Sequence, residues 1–366
     1  MDRNKKILIC ANSFPPHYGG IAVYAMELSA NLAKMPGLSI EVLAPYADGS
    51  HPLDSSLPFT ISRYNGKLSL YLKFLRLASI SDMVFIVQRG NFATFAYWLN
   101  RLKKIPYVVV THGVEPAHKR KRIVSNLNAA AKIIAVSRFV AMFLESIGVE
   151  RDKILVINNG ASIGKANSID VRRAYNLEGK AVLLTVARLI ARKGQDSVIR
   201  ALPLILKSVP NAHYLVVGDG PERKALENQV NTAGLAGHVT FAGNVPHEKI
   251  GGCYNACDLF IMLSRDTAGG VESFGIAYLE AAFAGKAVVA GKGGGTADAV
   301  LDGITGIIVD PLDIEEAASA VAGLLLDPEK REGMGENGRK RVFAEFGWET
   351  VAKRYASLFQ EILAGV

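Results

Sequence analysis

Two glutamates, Glu272 and Glu280, stand eight positions apart in "ESFGIAYLE", where a short glycine-containing turn runs into an apolar stretch. In helical geometry that spacing brings both carboxylates to nearly the same side, about 12 Å apart along the axis. Glu272 falls just ahead of the helix, where an acidic residue is ordinary capping chemistry. Glu280 falls inside it, within "IAYLEAAFAG", and a carboxylate in such surroundings needs a hydrogen-bonding partner. A ribose diol is one candidate. Arg188 and Lys193 in "ARLIARKGQ" lie between an apolar run and a helical stretch. Two cations fixed at one sheet edge suit a diphosphate, Arg binding in bidentate fashion and Lys acting as a point charge. His112, with Gly113, directly follows "YVVVT", where an imidazole can donate a hydrogen bond to a sugar hydroxyl or move a proton. Gly19 and Gly20 precede an amphipathic helix, and glycines there expose backbone N–H groups to an anion. Gly218 and Gly220 in "VVGDGP" end another apolar run without completing the dinucleotide fingerprint. Backbone groups near Val245 in "FAGNVPHEKI" could receive a flat base.

The elements that must position these residues alternate in type. Six runs, "KKILICA", "SIEVLAP", "MVFIVQ", "PYVVVTH", "KIIAVS" and "KILVIN", read as strands. Helical stretches of about 10–16 residues separate most of them, the pattern of a parallel sheet covered on both faces. "VINNGASIGKANS" (156–168) breaks the rhythm and reads as a linker. Six more strands follow: "AVLLTVA", "AHYLVVG", "HVTFAG", "CDLFIML", "KAVVAG" and "GIIVD". The tail from Met334 is helical, with a break at Gly347. Two doubly wound domains in tandem are expected, with ligands beyond the carboxyl ends of their strands, in a cleft between the two sheets.

The 366 residues suffice for two domains, and an apolar content of 49% argues against disorder. No run reaches the roughly 18–20 apolar residues of a membrane span, and the N-terminus lacks a signal-peptide pattern. A cytoplasmic protein is therefore expected. Cys10, Cys253 and Cys257 fit a reducing compartment as small buried residues, and no metal site is expected around them. Residues 1–158 carry 20 Lys+Arg against 10 Asp+Glu, and residues 159–366 carry 22 against 24. The positive excess thus belongs to the first part, with clusters at 119–122 ("KRKR"), at 101–104 ("RLKK") and around Lys67, Lys73 and Arg76. An anionic partner follows: lipid headgroups, a phosphorylated acceptor or nucleic acid.

Seven motifs in order, "PPHYGG", "THG", "NNG", "ARLIARKGQ", "VVGDGP", "FAGNV" and "ESFGIAYLEAAFAGKAVVAGKGGGTADAV", resemble those of the retaining GT-B glycosyltransferases of family GT4. The resemblance covers most of the chain. It implies a Rossmann-like acceptor-binding domain over 1–160, rejoined by a C-terminal helix at about 347–366. A nucleotide-sugar-binding domain would span 169–346. By the same resemblance, Glu280 would grip the nucleotide ribose and Glu272 would lie beside the donor sugar. Arg188 and Lys193 would clamp the diphosphate, His112 would contact the donor sugar, and Gly19 and Gly20 would form a loop at the donor phosphate and acceptor. Phe274, Gly275 and Ile276 would turn backbone N–H groups to the phosphates. Gly218 and Val245 join this cofactor-binding set, and no metal is required.

The family's activity is hexose transfer from a nucleoside-diphosphate sugar to a lipid-linked or glycan acceptor, with retention, in cell-surface glycan or glycolipid synthesis. The long "SRDTAGGVE" segment resembles the phosphatidylinositol mannosyltransferase branch and favours a GDP-mannose-type donor, within a donor class that is GDP- or UDP-linked. "NNGASIGKA" lacks the acidic residue that often follows the hinge glycine. The basic first half then suits an anionic membrane, where each Lys/Arg adds roughly 1 kcal/mol, giving a peripheral protein on the inner face of the plasma membrane. A glycosidase also uses two carboxylates, but Glu280 lies too deep in its helix to share a bond with Glu272. A sugar-nucleotide epimerase shares the architecture. A non-enzymatic protein binding anionic surfaces or nucleic acid would use the basic runs, but aromatic interleaving and recognition motifs are missing, so no nucleic acid is expected as partner. A dehydrogenase lacks its fingerprint.

Overall fold

A computed structural model describes residues 3–16, 19–47, 54–113, 120–163 and 170–365. The chain divides into two compact units, Met1–Gly160 with Trp348–Val366, and Ala161–Gly347. Of the stretch read as a linker, residues 164–168 lie outside the described residues, as do His17 and Tyr18 of "PPHYGG" and Lys119 of the basic run.

The first unit is built on strands β1 (Lys5–Cys10), β2 (Leu38–Pro45), β3 (Thr60–Tyr64), β4 (Met83–Ile86), β5 (Tyr107–Thr111), β6 (Lys132–Ala135) and β7 (Ile154–Val156). They form one parallel sheet in the order β3-β2-β1-β4-β5-β6-β7. The second is built on β8 (Ala181–Val186), β9 (Ala212–Val217), β10 (Val239–Gly243), β11 (Leu259–Met262), β12 (Val288–Gly291) and β13 (Gly306–Val309). Its order is β10-β9-β8-β11-β12-β13, again all parallel. Strands β4, β5, β9, β11 and β12 are buried at every residue. Helices cover both faces, so these strands read as unbroken apolar runs rather than alternating ones.

β3 is the strand that the hydrophobic pattern does not reveal. "TISRY" pairs on one side only, at the sheet edge, and none of its residues is fully buried. The tail follows its reading. Helix Pro328–Arg341, capped by Asp327, widens over Val342–Phe346 and stops at Gly347 in an extended conformation. Helix Trp348–Ala364 then packs in the first unit, with the Tyr24 and Tyr355 hydroxyls 2.6 Å apart and Phe85 against Tyr355 and Phe359. Among the described residues no helix is long and apolar enough to cross a membrane.

Each sheet reverses its direction of growth once, between β1 and β4 and between β8 and β11. At such a switch point the loops leaving the two strands diverge and open a crevice at their carboxyl ends. Lys193 follows β8 and Glu272 follows β11, so the switch point of the second unit is where its candidate residues belong.

Candidate active site

The loops leaving β8 and β11 are pressed together. Gly194 has φ +71°, and a Cβ there would sit 1.9 Å from the Leu263 carbonyl oxygen. Only glycine accepts both the left-handed conformation and the contact. Arg265 ties the same loops: its N–H donates to the Arg192 carbonyl at 2.9 Å, and its guanidinium reaches Asp196 at 2.9 Å and Ser197 Oγ at 3.0 Å. This closure brings Lys193 Nζ to 2.5 Å and Arg192 Nη1 to 3.2 Å from Glu272 Oε2.

Glu272 is only 8% exposed, so its charge is compensated by two cations rather than by water. Its backbone is fixed from a third loop, the one leaving β12. Gly295 donates to the Glu272 carbonyl at 2.7 Å, and a Cβ at Gly294 would lie 2.0 Å from that oxygen.

Arg192 went unnoticed in the sequence because it adjoins Lys193, and neighbours in a regular element diverge. Here residues 191–193 form a single 3₁₀ turn, and Arg192 also donates to the Val271 carbonyl at 3.2 Å. The signal was present as three basic residues within 188–193. Of the two cations expected to clamp a diphosphate, Arg188 and Lys193, only Lys193 is paired among the described residues. The Arg188 side chain is exposed and makes no hydrogen bond or ion pair among the described residues, while Lys193 is occupied by Glu272.

Gly275 caps the helix Ile276–Phe283 with φ +91° and no side-chain cap. The N–H groups of Phe274, Gly275 and Ile276 carry no hydrogen bond among the described residues. They present the partial positive charge of a helix start to whatever lies before it. The Phe274 ring is buried, its centroid 6.0 Å from that of Phe346, so Phe274 can serve the site only through its backbone. Glu280 sits on the second turn, half-buried, and accepts from the Tyr254 hydroxyl at 2.5 Å. Burial first, and then Glu280, pushes the Tyr254 phenol well above its ordinary range, so it stays a donor. Tyr254 lies on helix His247–Ala256, a partner for which sequence spacing offers no sign.

Two other candidates follow strands of the same sheet. The Gly218 N–H donates to the Gly243 carbonyl at 2.8 Å, and its missing Cβ would lie 2.1 Å from the Ala187 carbonyl oxygen. Gly218 therefore packs loops together, and its amide is already engaged. Val245 is half-buried in the loop after β10, and its backbone groups make no hydrogen bond among the described residues.

In the first unit, Gly19 and Gly20 open the helix Gly20–Leu32, and nothing lies within 4 Å of where their Cβ atoms would be. His112 follows β5 and lines a pocket of about 240 Å³ with Ile21, Gln88, Arg89, Thr111 and Gly113. Its Nε2 lies 2.9 Å from the Val87 carbonyl oxygen. A carbonyl only accepts, so Nε2 carries the proton and Nδ1 is a bare acceptor. Burial lowers the pKa to about 4 against the opposing pull of the Val87 bond. Near neutral pH the free ring nitrogen is therefore an acceptor, and a sugar hydroxyl would donate to it.

The three cysteines are free and buried. Burial pushes the Cys10 thiol well up, Cys253 to about 11 and Cys257 to about 12, which leaves them inert. Among the described residues no group of three or more His, Cys, Asp or Glu could hold a metal ion.

Two family models match in tandem: "Glycosyltransferase Family 4" over residues 18–164 and "Glycosyl transferases group 1" over residues 168–341. A GDP-mannose-dependent alpha-(1-6)-phosphatidylinositol monomannoside mannosyltransferase of Mycolicibacterium smegmatis is 30% identical, covering 96% of this chain and 97% of its own. The protein of the same name from Mycobacterium tuberculosis is 27% identical, covering 97% and 98%. Among solved structures, Anabaena Alr3699/HepE in complex with UDP and glucose superposes with a TM-score of 0.82 at 24% identity, covering 98% of this chain and 100% of that one. Sucrose-phosphate synthase from Thermosynechococcus elongatus also reaches 0.82, at 22% identity, covering 99% and 100%. A relative at 30% identity along nearly its whole length, with family models matched to both halves, settles the assignment: the chain belongs to glycosyltransferase family 4 and is a GT-B glycosyltransferase.

Proposed function

We propose that this enzyme transfers a hexose, mannose in preference, from a GDP-linked donor to a lipid-linked acceptor with retention of configuration. The observation that carries the reading is the meeting of Lys193, Glu272 and an uncapped helix start at the β8/β11 switch point. A leaving nucleoside diphosphate needs positive charge aimed where its own negative charge develops. Lys193, the exposed Arg188 and the N–H groups of Phe274, Gly275 and Ile276 supply it. Glu280, oriented by Tyr254, takes the ribose diol, and backbone near Val245 receives the base. Glu272 lies beside the donor sugar. Gly218 contributes by keeping the β8 and β9 loops close.

In the first unit His112 accepts a hydrogen bond from a sugar hydroxyl through Nδ1. Gly19 and Gly20 are required neither by packing nor by backbone strain, which supports a ligand's close approach as their reason. This unit serves the acceptor. Its basic surface holds the enzyme on the anionic inner face of the membrane. GDP-mannose and a phosphatidylinositol mannoside are favoured because several near-full-length relatives bear names that state that chemistry.

The test is a thermal-shift series with GDP, UDP and ADP and their sugar conjugates, followed by transfer assays with the winning donor. A ligand bound only by the folded state raises its melting temperature. GDP and GDP-mannose are expected to give the largest shift. Glu280→Ala should abolish transfer and weaken nucleotide binding with the fold intact. Near-normal activity in that variant, or conversion of the donor's sugar with no acceptor present, refutes the proposal.

A further inference from the structure

Two neighbouring helices of the first unit, Gly66–Ser79 and Asn91–Lys103, have an outer face that nothing in the catalytic reading uses. They pack side by side: Tyr71 and Phe74 each lie 5.6 Å, centroid to centroid, from Phe95, and Lys103 Nζ donates to Ser79 Oγ at 3.2 Å. Their inner stripes, Leu70, Phe74 and Leu77 on one and Phe92, Ala96 and Leu99 on the other, are buried. The outer stripes are also apolar. Leu68 and Leu72 are 72% and 58% exposed, and Trp98 and Leu102 are 56% and 79% exposed. Each pair is spaced four residues apart, so each forms one line along its helix. A core-facing helix has no use for a second apolar stripe, and an exposed patch of this kind marks an interaction site.

Charge selects the partner. Neither helix contains an Asp or Glu, and both are edged with cations: Lys67, Lys73 and Arg76 on the first, Arg101 and Lys103 on the second, with Lys104 just after. Leucine and tryptophan ringed by Lys and Arg, without carboxylates, match a bilayer interface. The apolar groups enter the acyl boundary, the indole sits at headgroup level, and the cations meet anionic headgroups. A nucleic acid would match the charge but not the exposed leucines. A second copy of the same face would set cations against cations.

We infer that this two-helix face docks the enzyme on an anionic lipid membrane by shallow insertion of Leu68, Leu72, Trp98 and Leu102. The inference gives an address to the membrane contact proposed above and is independent of the donor assignment. It places the first unit on the surface from which a lipid-linked acceptor would be drawn.

The test is co-sedimentation with phosphatidylcholine vesicles, with and without about one third phosphatidylglycerol. The wild type is compared with a Leu68→Ser, Leu72→Ser, Trp98→Ser, Leu102→Ser variant and a Lys67→Gln, Arg76→Gln, Arg101→Gln variant. The wild type should bind the anionic vesicles and not the neutral ones. Each Lys or Arg near such a surface is worth about five-fold in partitioning, so the charge variant should lose about a hundred-fold. The apolar variant should lose at least as much. Both should retain the wild-type thermal shift with GDP. Undiminished binding by either variant overturns the inference, as does equal binding to neutral vesicles. So does a DNA affinity or a self-association that the same substitutions remove in place of vesicle binding. If GDP gives no shift while vesicle binding behaves as described, the donor assignment fails and the docking face stands.

Discussion

Glu272→Gln should move nucleotide affinity and catalysis in opposite directions. The carboxylate lies 2.5 Å from Lys193 Nζ and 3.2 Å from Arg192 Nη1, with side chains of Glu272 and Lys193 only 11% and 13% exposed. A phosphate reaching the other side of that ammonium would stand about 5–6 Å from the carboxylate, where two like charges repel by about 3 kcal/mol at an effective dielectric of ~20. Glutamine keeps the shape and one acceptor but removes the charge. With ionic screening, GDP binding should tighten about ten- to fifty-fold. Without nucleotide the variant should be less stable by about 1–3 kcal/mol, because Lys193 and Arg192 lose their counter-charge. Saturating GDP should close most of that deficit. Transfer should fall at least about a hundred-fold, the scale of losing a charged group beside a reacting centre. Calorimetric titration with GDP, melting curves with and without it, and single-turnover transfer together read all four quantities. Unchanged or weaker GDP binding in Glu272→Gln would show that Glu272 does not compete for Lys193, and the phosphate role of Lys193 would go with it.

Two further outcomes follow from the same geometry. Gly194→Ala adds a methyl 1.9 Å from a backbone oxygen at φ +71°, so the β8 and β11 loops must part. It should cost about 2–4 kcal/mol by denaturant titration and weaken GDP at least about ten-fold, whereas Gly234→Ala, with φ +68° and open space, should cost only about 1 kcal/mol and leave GDP binding alone. His112 titrates near 4 in the folded protein against an ordinary 6.5. The unfolded chain therefore takes up its proton first as pH falls, and stability present above pH 6.5 is lost down to about 4, by about 3 kcal/mol. His112→Asn should flatten that slope in stability-versus-pH curves without abolishing it, because His213, lowered to about 4 chiefly by burial and then by Lys180 and His238, shares the window; an unchanged slope refutes the assignment.

What the sequence disclosed and what it withheld have one physical division. Buried parallel strands carry apolar runs because both of their faces are covered, so β8, β9, β11 and β12 were legible, and the edge strands β10 and β13 keep enough apolar residues in "VTFAG" and "GIIV" to be read as well. β3 was not, because "TISRY" is a half-exposed edge whose only neighbour is β2. Glu280 was legible as a carboxylate in need of a partner, because within "IAYLEAAFAG" it has no reason to be there unless something pairs with it. The hydroxyl of Tyr254 that donates to it was not, since the two are 26 residues apart on different helices. The Arg192–Glu272 pair, 80 residues apart, and the tautomer of His112, set by a carbonyl 25 residues away, were hidden for the same reason.

What did reach the sequence from these long-range contacts is the glycines. Gly194 and Gly294 stand where one loop at the carboxyl ends of the strands touches the backbone of another, and no other residue fits. The helix Gly66–Ser79 shows the converse. Its leucines carry no mark in the sequence of which way they face, and only the packing of Leu70, Phe74 and Leu77 on the inner side leaves Leu68 and Leu72 without a core to enter. A helix apolar on two sides declares its second partner only after the first has been found.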